Sequence, residues 1–264
     1  MDSADDIEGG RRRRDVAEVV AREAAALLMS FKGHASVSWK GVGDLVTAAD
    51  QAAEAHVIRR LAEAFPDDRI IGEEGGGHGG DADWVWYVDP LDGTTNFVCG
   101  LPHFAVSLGA FFCGRPAVGV VVAPELGRAF VGARGLGATC NGVPIHVAAE
   151  PQLTRVLAAT GFPYDRSTTS QSLVLPLERA LVRCLDVRRL GSAALDLCLV
   201  ADGTFGVYWE PRLKPWDFAA GVLLVEEAGG QVSDHHGGDG YLTSCGVLAS
   251  NGHVHAQFLR DVLA

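Results

Sequence analysis

No stretch of this chain approaches the ~20 consecutive apolar residues of a membrane-spanning helix, so no passage through a bilayer is expected. No Cys-x-x-C pair occurs either. The six cysteines (Cys99, Cys113, Cys140, Cys184, Cys198 and Cys245) are scattered, which argues against a zinc or disulfide framework and for reduced thiols. Positive charge is scarce: 22 Lys and Arg stand against 33 Asp and Glu, a formal net charge of −11. A general nucleic-acid binder carries the opposite balance, so no nucleic-acid partner is expected. The amino terminus lacks the basic-then-apolar order of a signal peptide and carries Asp2, Asp5, Asp6 and Glu8 instead. Cytoplasmic residence is the resulting expectation. No internal repeat is visible, and no low-complexity tract exceeds the glycine-rich residues 75–80.

What is present suits a compact, loop-rich globular protein: 48% hydrophobic residues and 33 glycines in 264 positions. That length fits one large domain or two small ones sharing a core. Apolar residues at helical spacing predict helices over 15–31 and 48–65, the first preceded by a solvated basic lead-in at 11–14. Strands are expected at 69–74, 84–88, 103–112, 116–123 and 129–131, suggesting an antiparallel sheet in an α+β first half. Beyond a turn-rich boundary near 143–151, strand and helix alternate. Strands are expected at 155–160 and 187–190, with helices at 172–185 (interrupted near Pro176), 192–201, 215–228 and 252–263. The expected units are therefore 1–146 and 147–264.

Residues 84–97, Trp-Val-Trp-Tyr-Val-Asp-Pro-Leu-Asp-Gly-Thr-Thr-Asn-Phe, carry the chemistry. The aromatic and β-branched opening predicts a buried strand, and Pro90, lacking a backbone donor, predicts that its ladder stops at Asp89. Gly93 allows a sharp turn, and Thr94 or Thr95 can open a helix. Asp89 and Asp92 then stand at the carboxyl end of a strand, where open α/β sheets bind ligands. Carboxylates are the hard ligands Mg²⁺ prefers, and turn amides favour an anion. An Asx turn with no ligand explains Asp-Pro-Leu-Asp-Gly about equally well.

Other acidic residues divide similarly. Glu73 and Glu74 end an apolar strand. Thr47 and Asp50 have capping-box spacing, which makes Asp50 a helix-start residue rather than a ligand, whereas Asp44 lies before that cap. Asp217 falls in the first turn of a helix, where the dipole favours it with or without a ligand. Ser192 is a natural N-cap, and Asp196 reads as helical and structural. His78 and the pair His235-His236 read as solvated loop residues, and 75–80 as a mobile hairpin tip.

Together these segments resemble the inositol monophosphatase family. Asp89-Pro90-Leu91-Asp92-Gly93-Thr94-Thr95-Asn96-Phe97 resembles its first signature and Trp216-Asp217-Phe218-Ala219-Ala220-Gly221 its second. Asp44-Leu45-Val46-Thr47 and Gly72-Glu73-Glu74 resemble its upstream acidic motifs. The resemblance implies a layered αβαβα sandwich, as in fructose-1,6-bisphosphatase, and hydrolysis of a phosphate monoester by water activated by two to three Mg²⁺ ions, with Li⁺ as inhibitor. It implies Glu73, Asp89, Asp92, Asp217 and the Leu91 carbonyl as metal ligands. Glu74 would support them, and a looser ion would sit by Glu73. Thr94, with Asp44, would orient the water. Gly93 and Thr94 amides would take phosphate oxygens, with Asp92, Ala193, Glu210 and Asp217 facing substrate. A polyol phosphate such as myo-inositol 1-phosphate is the implied substrate and a homodimer the implied assembly. Arg212 and Lys214 keep a bisphosphate open, and histidinol phosphate and 3′-nucleotides share the chemistry. A non-catalytic binding protein on the same fold is the alternative of a different class.

Overall fold

The computed structural model describes residues 4–33, 37–41, 44–163, 170–243 and 246–264, without the side chains of 4–6, 37–41, 44–46 and 170–172. The first half opens with α1 (Ala4–Phe31), the hairpin β1 (Val37–Gly41) and β2 (Asp44–Thr47), and α2 (Ala48–Ala64). Strands β3 (Arg69–Gly72), β4 (Gly77–His78) and β5 (Trp84–Asp92) lead to the short helix α3 (Thr94–Cys99). A meander of β6 (Ala105–Phe112), β7 (Arg115–Ala123), β8 (Arg128–Ala133), β9 (Ala138–Cys140) and β10 (Val143–Pro144) follows. Together they form an eight-stranded sheet, ordered β10-β9-β8-β7-β6-β5-β3-β4, antiparallel except where β3 runs parallel to β5.

The second half supplies β11 (Leu157–Thr160), α4 (Ser170–Arg183), β12 (Asp186–Arg188), α5 (Ala193–Ala201), β13 (Val207–Pro211) and α6 (Pro215–Glu227). It ends with β14 (Gln231–Ser233), β15 (Gly246–Ser250), α7 (His255–Phe258) and a π-helical turn over Leu259–Leu263. The five-stranded sheet, ordered β12-β11-β13-β15-β14, is parallel among the first three strands and antiparallel beyond. Among the described residues, no helix is long and apolar enough to cross a membrane.

Three apolar cores stack these elements in layers. Helices α1 and α2 bury Val20, Leu28, Val57 and Leu61 against Trp86, Leu108 and Val120 on one face of the large sheet. Helices α5 and α6 fill the space between the sheets, packing Leu197, Val222 and Leu224 against Phe111, Val121 and Phe130 on one side and Tyr208 and Val247 on the other. Ala180, Val254 and Phe258 cover the outer face of the small sheet. The result is the αβαβα sandwich. Covered on both faces, β6 and β7 read as near-continuous apolar runs. Their glycines admit α6 closely: a Cβ at Gly109 would lie 2.5 Å from the Ala219 side chain, and one at Gly119 only 2.4 Å from the Ala220 carbonyl.

Several sequence expectations change. Helix α1 begins at Ala4, so residues 11–14 lie inside it, as the acidic residues favoured at a helix start allow. Arg13 is no solvated lead-in: its guanidinium grips Asp68 at 2.8 and 2.6 Å and stacks 4.0 Å over Trp84. Asp68 also accepts from Trp86 Nε1 at 2.8 Å, so the buried carboxylate is fully paired. Residues 75–80 form no mobile tip, because β4 pairs with β3 and Glu54 accepts from the Glu74 and Gly76 amides at 2.7 and 2.8 Å. Helix α4 runs through Pro176 without interruption. The final helix starts at His255 rather than 252 and passes into a π turn. His235 is half-buried instead of solvated, its ring lying over Gly246 with Nε2 3.2 Å from the Val247 carbonyl. His78 Nε2 meets the Pro66 carbonyl at 3.0 Å.

Candidate active site

The motif strand ends later than Pro90 suggests. β5 runs to Asp92 across a bulge, pairing Asp89 with Ser107 and Asp92 with Ala105. The bulge takes Pro90 and Leu91 out of register, so no ladder bond calls on the missing proline donor. Asp89 Oδ1 accepts from the Leu91 amide at 3.0 Å, fixing both the turn and the carboxylate. Gly93, at φ +94°, closes the turn; a Cβ there would lie 3.0 Å from the His103 carbonyl. Thr94 begins α3, which no side chain caps.

Glu73 reaches the same place from the neighbouring strand. β3 pairs in parallel with β5, Gly72 opposite Val88, and the Glu73 amide donates to the Val88 carbonyl at 3.1 Å. Glu54, buried on α2, holds the following turn, and its carboxylate occupies the space that a Cβ at Gly72 or Gly76 would need. Sequence reasoning passed over Glu54. Its signal is a charged residue beside the apolar stripe Ala49, Ala53, Val57 and Leu61.

Asp50 also does more than cap α2. The Thr47–Asp50 capping box is present: the Thr47 amide and hydroxyl donate to Asp50 Oδ2 at 2.8 and 2.5 Å. The other oxygen, Oδ1, faces Thr94 Oγ1 at 3.2 Å, and that hydroxyl also reaches the Leu91 carbonyl at 3.1 Å. Asp50 is thus the carboxylate beside Thr94, correcting its reading as a helix-start residue alone. The side chain of Asp44, expected there, lies outside the described residues.

The second half closes the cavity. Asp92 receives the Ser192 hydroxyl at 2.6 Å and the Ala194 and Ala193 amides at 2.7 and 3.3 Å. Ser192 occupies the N-cap position of α5 but makes no cap bond of its own; Asp92 supplies the cap from the other half of the chain. Asn96, unremarked in the sequence, donates to the carbonyls of His103 and Leu190 at 2.7 and 2.8 Å, tying α3 to the turn before α5. Asp217 stands in the first turn of α6 and accepts from the Lys214 amide at 2.7 Å. Glu210, on β13, accepts the Tyr208 hydroxyl at 2.6 Å. Asp196 is helical, as expected, and buried, with Oδ1 3.4 Å from His103 Nε2, in ion-pair reach but off hydrogen-bond alignment.

Glu73, Asp89, Leu91, Asp92, Gly93, Thr94, Ala193, Glu210 and Asp217 line one cavity of about 500 Å³. Its electrostatics favour cations. Burial, then Glu73, Asp92 and Asp217, holds the Asp89 carboxyl well above the ordinary range. Burial and Glu73 raise Asp217 likewise. Burial also lifts Asp92, against the donors from Ser192 and Ala194. Glu210 is pushed up to about 7, chiefly by burial, against the Tyr208 hydroxyl. Among the described residues no three His, Cys, Asp or Glu side chains are already arranged to hold a metal ion. Glu73 and Asp89 already meet side chain to side chain, while backbone amides engage Asp89, Asp92 and Asp217. The donor set still fits a cation: carboxylate and carbonyl oxygens only, which suits Mg²⁺ rather than a softer metal.

The chain is thus a layered αβαβα sandwich with an acid-lined cavity between its halves. The chain belongs to the inositol monophosphatase family, whose model matches residues 11–263. It is 42% identical over 256 residues to the chloroplastic phosphatase IMPL1 of Arabidopsis thaliana, covering 94% of this chain and 69% of that one. It is 44% identical over 226 residues to the Nus factor SuhB of Escherichia coli, covering 85% of each. Among solved structures, the inositol monophosphatase from Anabaena (Nostoc) superposes with a TM-score of 0.86 at 39% identity over 94% of each chain. The extragenic suppressor protein suhB from Bartonella henselae gives 0.90 at 35% identity, over 94% of this chain and 97% of that one.

Proposed function

We propose that this phosphatase is a Mg²⁺-dependent phosphate monoester hydrolase acting on a polyol monophosphate, with myo-inositol 1-phosphate the leading substrate. The observation that carries the reading is the gathering of Glu73, Asp89, Asp92 and Asp217 in one cavity with the Asp50–Thr94 pair. The four carboxylates and the Leu91 carbonyl would hold the metal ions. Bound Mg²⁺ would offset the phosphate charge and lower the pKa of an attacking water.

The chain's own groups do the rest. Thr94 Oγ1, held between Asp50 Oδ1 and the Leu91 carbonyl, is placed to orient water and pass its proton toward Asp50. Burial raises the Asp50 carboxyl, which strengthens it as an acceptor in its ionised form. The first amides of α3, with no capping side chain, are donors for phosphate oxygens. Glu210 stands beyond the acidic cluster as an acceptor for leaving-group hydroxyls. No Ser or Cys nucleophile is needed.

Phosphate release from myo-inositol 1-phosphate in Mg²⁺, abolished by EDTA and by Asp89→Asn, is the test. Turnover by Asp89→Asn near the wild-type rate would remove the site assignment. The likeness to relatives named Nus factor supports a second reading, a binding role independent of turnover. It predicts that Asp89→Asn keeps the biological role while losing phosphate release.

A further inference from the structure

Outside the acidic cluster three cations line the cavity wall, Arg189, Arg212 and Lys214; the last two carry the bisphosphate alternative, and Arg189 has no assignment. Arg189 lies in the turn between β12 and α5 and lines the cavity with Glu210. Among the described residues its guanidinium makes no hydrogen bond or ion pair. Its place is nonetheless built. The head lies over Gly191, where a Cβ would come 2.8 Å from Nη1, and Gly191 has φ +87°. The backbone conformation at this position calls for glycine, and the guanidinium occupies the space beside it.

The topology brings Arg189 and Glu210 to one edge. β12, β11 and β13 are adjacent and parallel, so Arg189, Gly161 and Glu210 all emerge at carboxyl ends, with Gly161 in the middle. A Cβ on Gly161 would fall 1.8 Å from Glu210 Oε2. The Glu210 carboxylate therefore leans across the middle strand, toward the strand that delivers Arg189. Two glycines on this rim thus each carry a charged head of opposite sign. The two heads sense each other: Arg189 opposes the burial that raises Glu210.

We propose that Arg189 is a specificity-determining residue, its guanidinium donating to the leaving group's hydroxyls while Glu210 accepts from a neighbouring one. Adjacent hydroxyls on a polyol are the chemistry such a donor–acceptor pair fits, because a hydroxyl both donates and accepts. This rests on the phosphomonoesterase reading above and specifies its leaving-group side.

The test compares kcat/KM of wild type, Arg189→Ala and Arg189→Lys on myo-inositol 1-phosphate, on fructose 1,6-bisphosphate as a polyol bisphosphate, and on phenyl phosphate, which has no leaving-group hydroxyls. A charge-assisted hydrogen bond is worth roughly tenfold or more, so Arg189→Ala should lose about that factor on the polyol ester and leave phenyl phosphate unchanged. Arg189→Lys should recover only part, because an ammonium lacks the planar fork. Equal losses on both substrates, or none on either, overturn the assignment. So does a loss confined to a polyol bisphosphate, since Arg189 would then read a second anion.

Calorimetric titration of myo-inositol 1-phosphate and of inorganic phosphate into the Mg²⁺-loaded proteins reads the same preference without turnover. A wild type that releases no phosphate but binds the polyol ester more tightly than Arg189→Ala does, with inorganic phosphate bound equally, sinks the hydrolase reading and keeps this one. Loss of that difference sinks the role of Arg189.

Discussion

Helices α2 and α5 both begin beside the cavity and are capped in opposite ways. α2 is capped from within, by Thr47 and Asp50 three positions apart. α5 is capped from outside, by Asp92 from the other half of the chain. A local cap leaves its carboxylate a spare oxygen, and Asp50 turns that oxygen to Thr94. A remote cap spends both oxygens: Asp92 Oδ2 takes Ser192 and Ala194, and Oδ1 takes Ala193. Asp92 thus combines assembly with chemistry, whereas on the α2 side Thr47 carries part of the assembly and Thr94 the chemistry. Mutations should separate the two functions at α2 and fail to separate them at α5.

The largest effect is expected at the remote cap. Asp92→Ala should cut kcat/KM by roughly a thousandfold or more if Asp92 holds a metal ion as proposed. It should also cost about 1–2 kcal/mol of stability, because the α5 amides lose their acceptor. Denaturant unfolding alongside kinetics checks both, and unchanged stability would break the comparison. Next, Thr94→Val should lower kcat roughly a hundredfold with little change in KM or in unfolding midpoint. A parallel drop in stability would mean that Thr94 serves assembly as well.

The clustered acids themselves predict a pH effect of intermediate size. Folded-state pKa values of Asp89, Asp92 and Asp217 are raised, so metal-free protein has its full stability from these groups at low pH. That stability is lost as pH rises above the ordinary carboxylate range and through the folded values. Melting temperature in EDTA should therefore fall on that side, and Mg²⁺ should restore more as pH increases. A Mg²⁺ increment independent of pH would contradict the cluster's role. The smallest effects separate the two helix starts most finely. Thr47→Ala and Ser192→Ala should each cost about 1 kcal/mol. Thr47→Ala should keep kcat within a few-fold, while Ser192→Ala should also raise KM, because its partner Asp92 lines the cavity.

Legibility followed the same division between local and remote. Asp89, Leu91, Asp92 and Thr94 lie within one motif, so their convergence shows in sequence order. The capping box shows too, but its local completeness concealed the contact from Asp50 to a threonine 44 positions away. Glu54, Asn96 and the Arg13–Asp68 pair were missed because their partners are backbone atoms or distant side chains that no spacing encodes. Pro90 misled for a different reason: a proline excludes a ladder bond, not a strand, and the bulge resolves the conflict. The strand and helix patterns by themselves read as an antiparallel α+β first half and an alternating second half. The layered sandwich came with the family resemblance, because patterns do not say which helices lie between the sheets.

The glycines under α6 bear on something no ligand controls. Gly109 and Gly119 let the Ala219–Ala220 backbone settle against the large sheet, and Asp217 stands just before those alanines in the same helix. The gap between Asp217 and the carboxylates of β5 is thereby set from behind, by two missing methyl groups on strands that never touch the cavity. A methyl at Gly109 would act as a spacer, moving one jaw of the cleft without altering its chemistry. Any preference among bound ions would by this account be a property of helix seating, adjustable from the core with Asp89, Asp92 and Asp217 left in place.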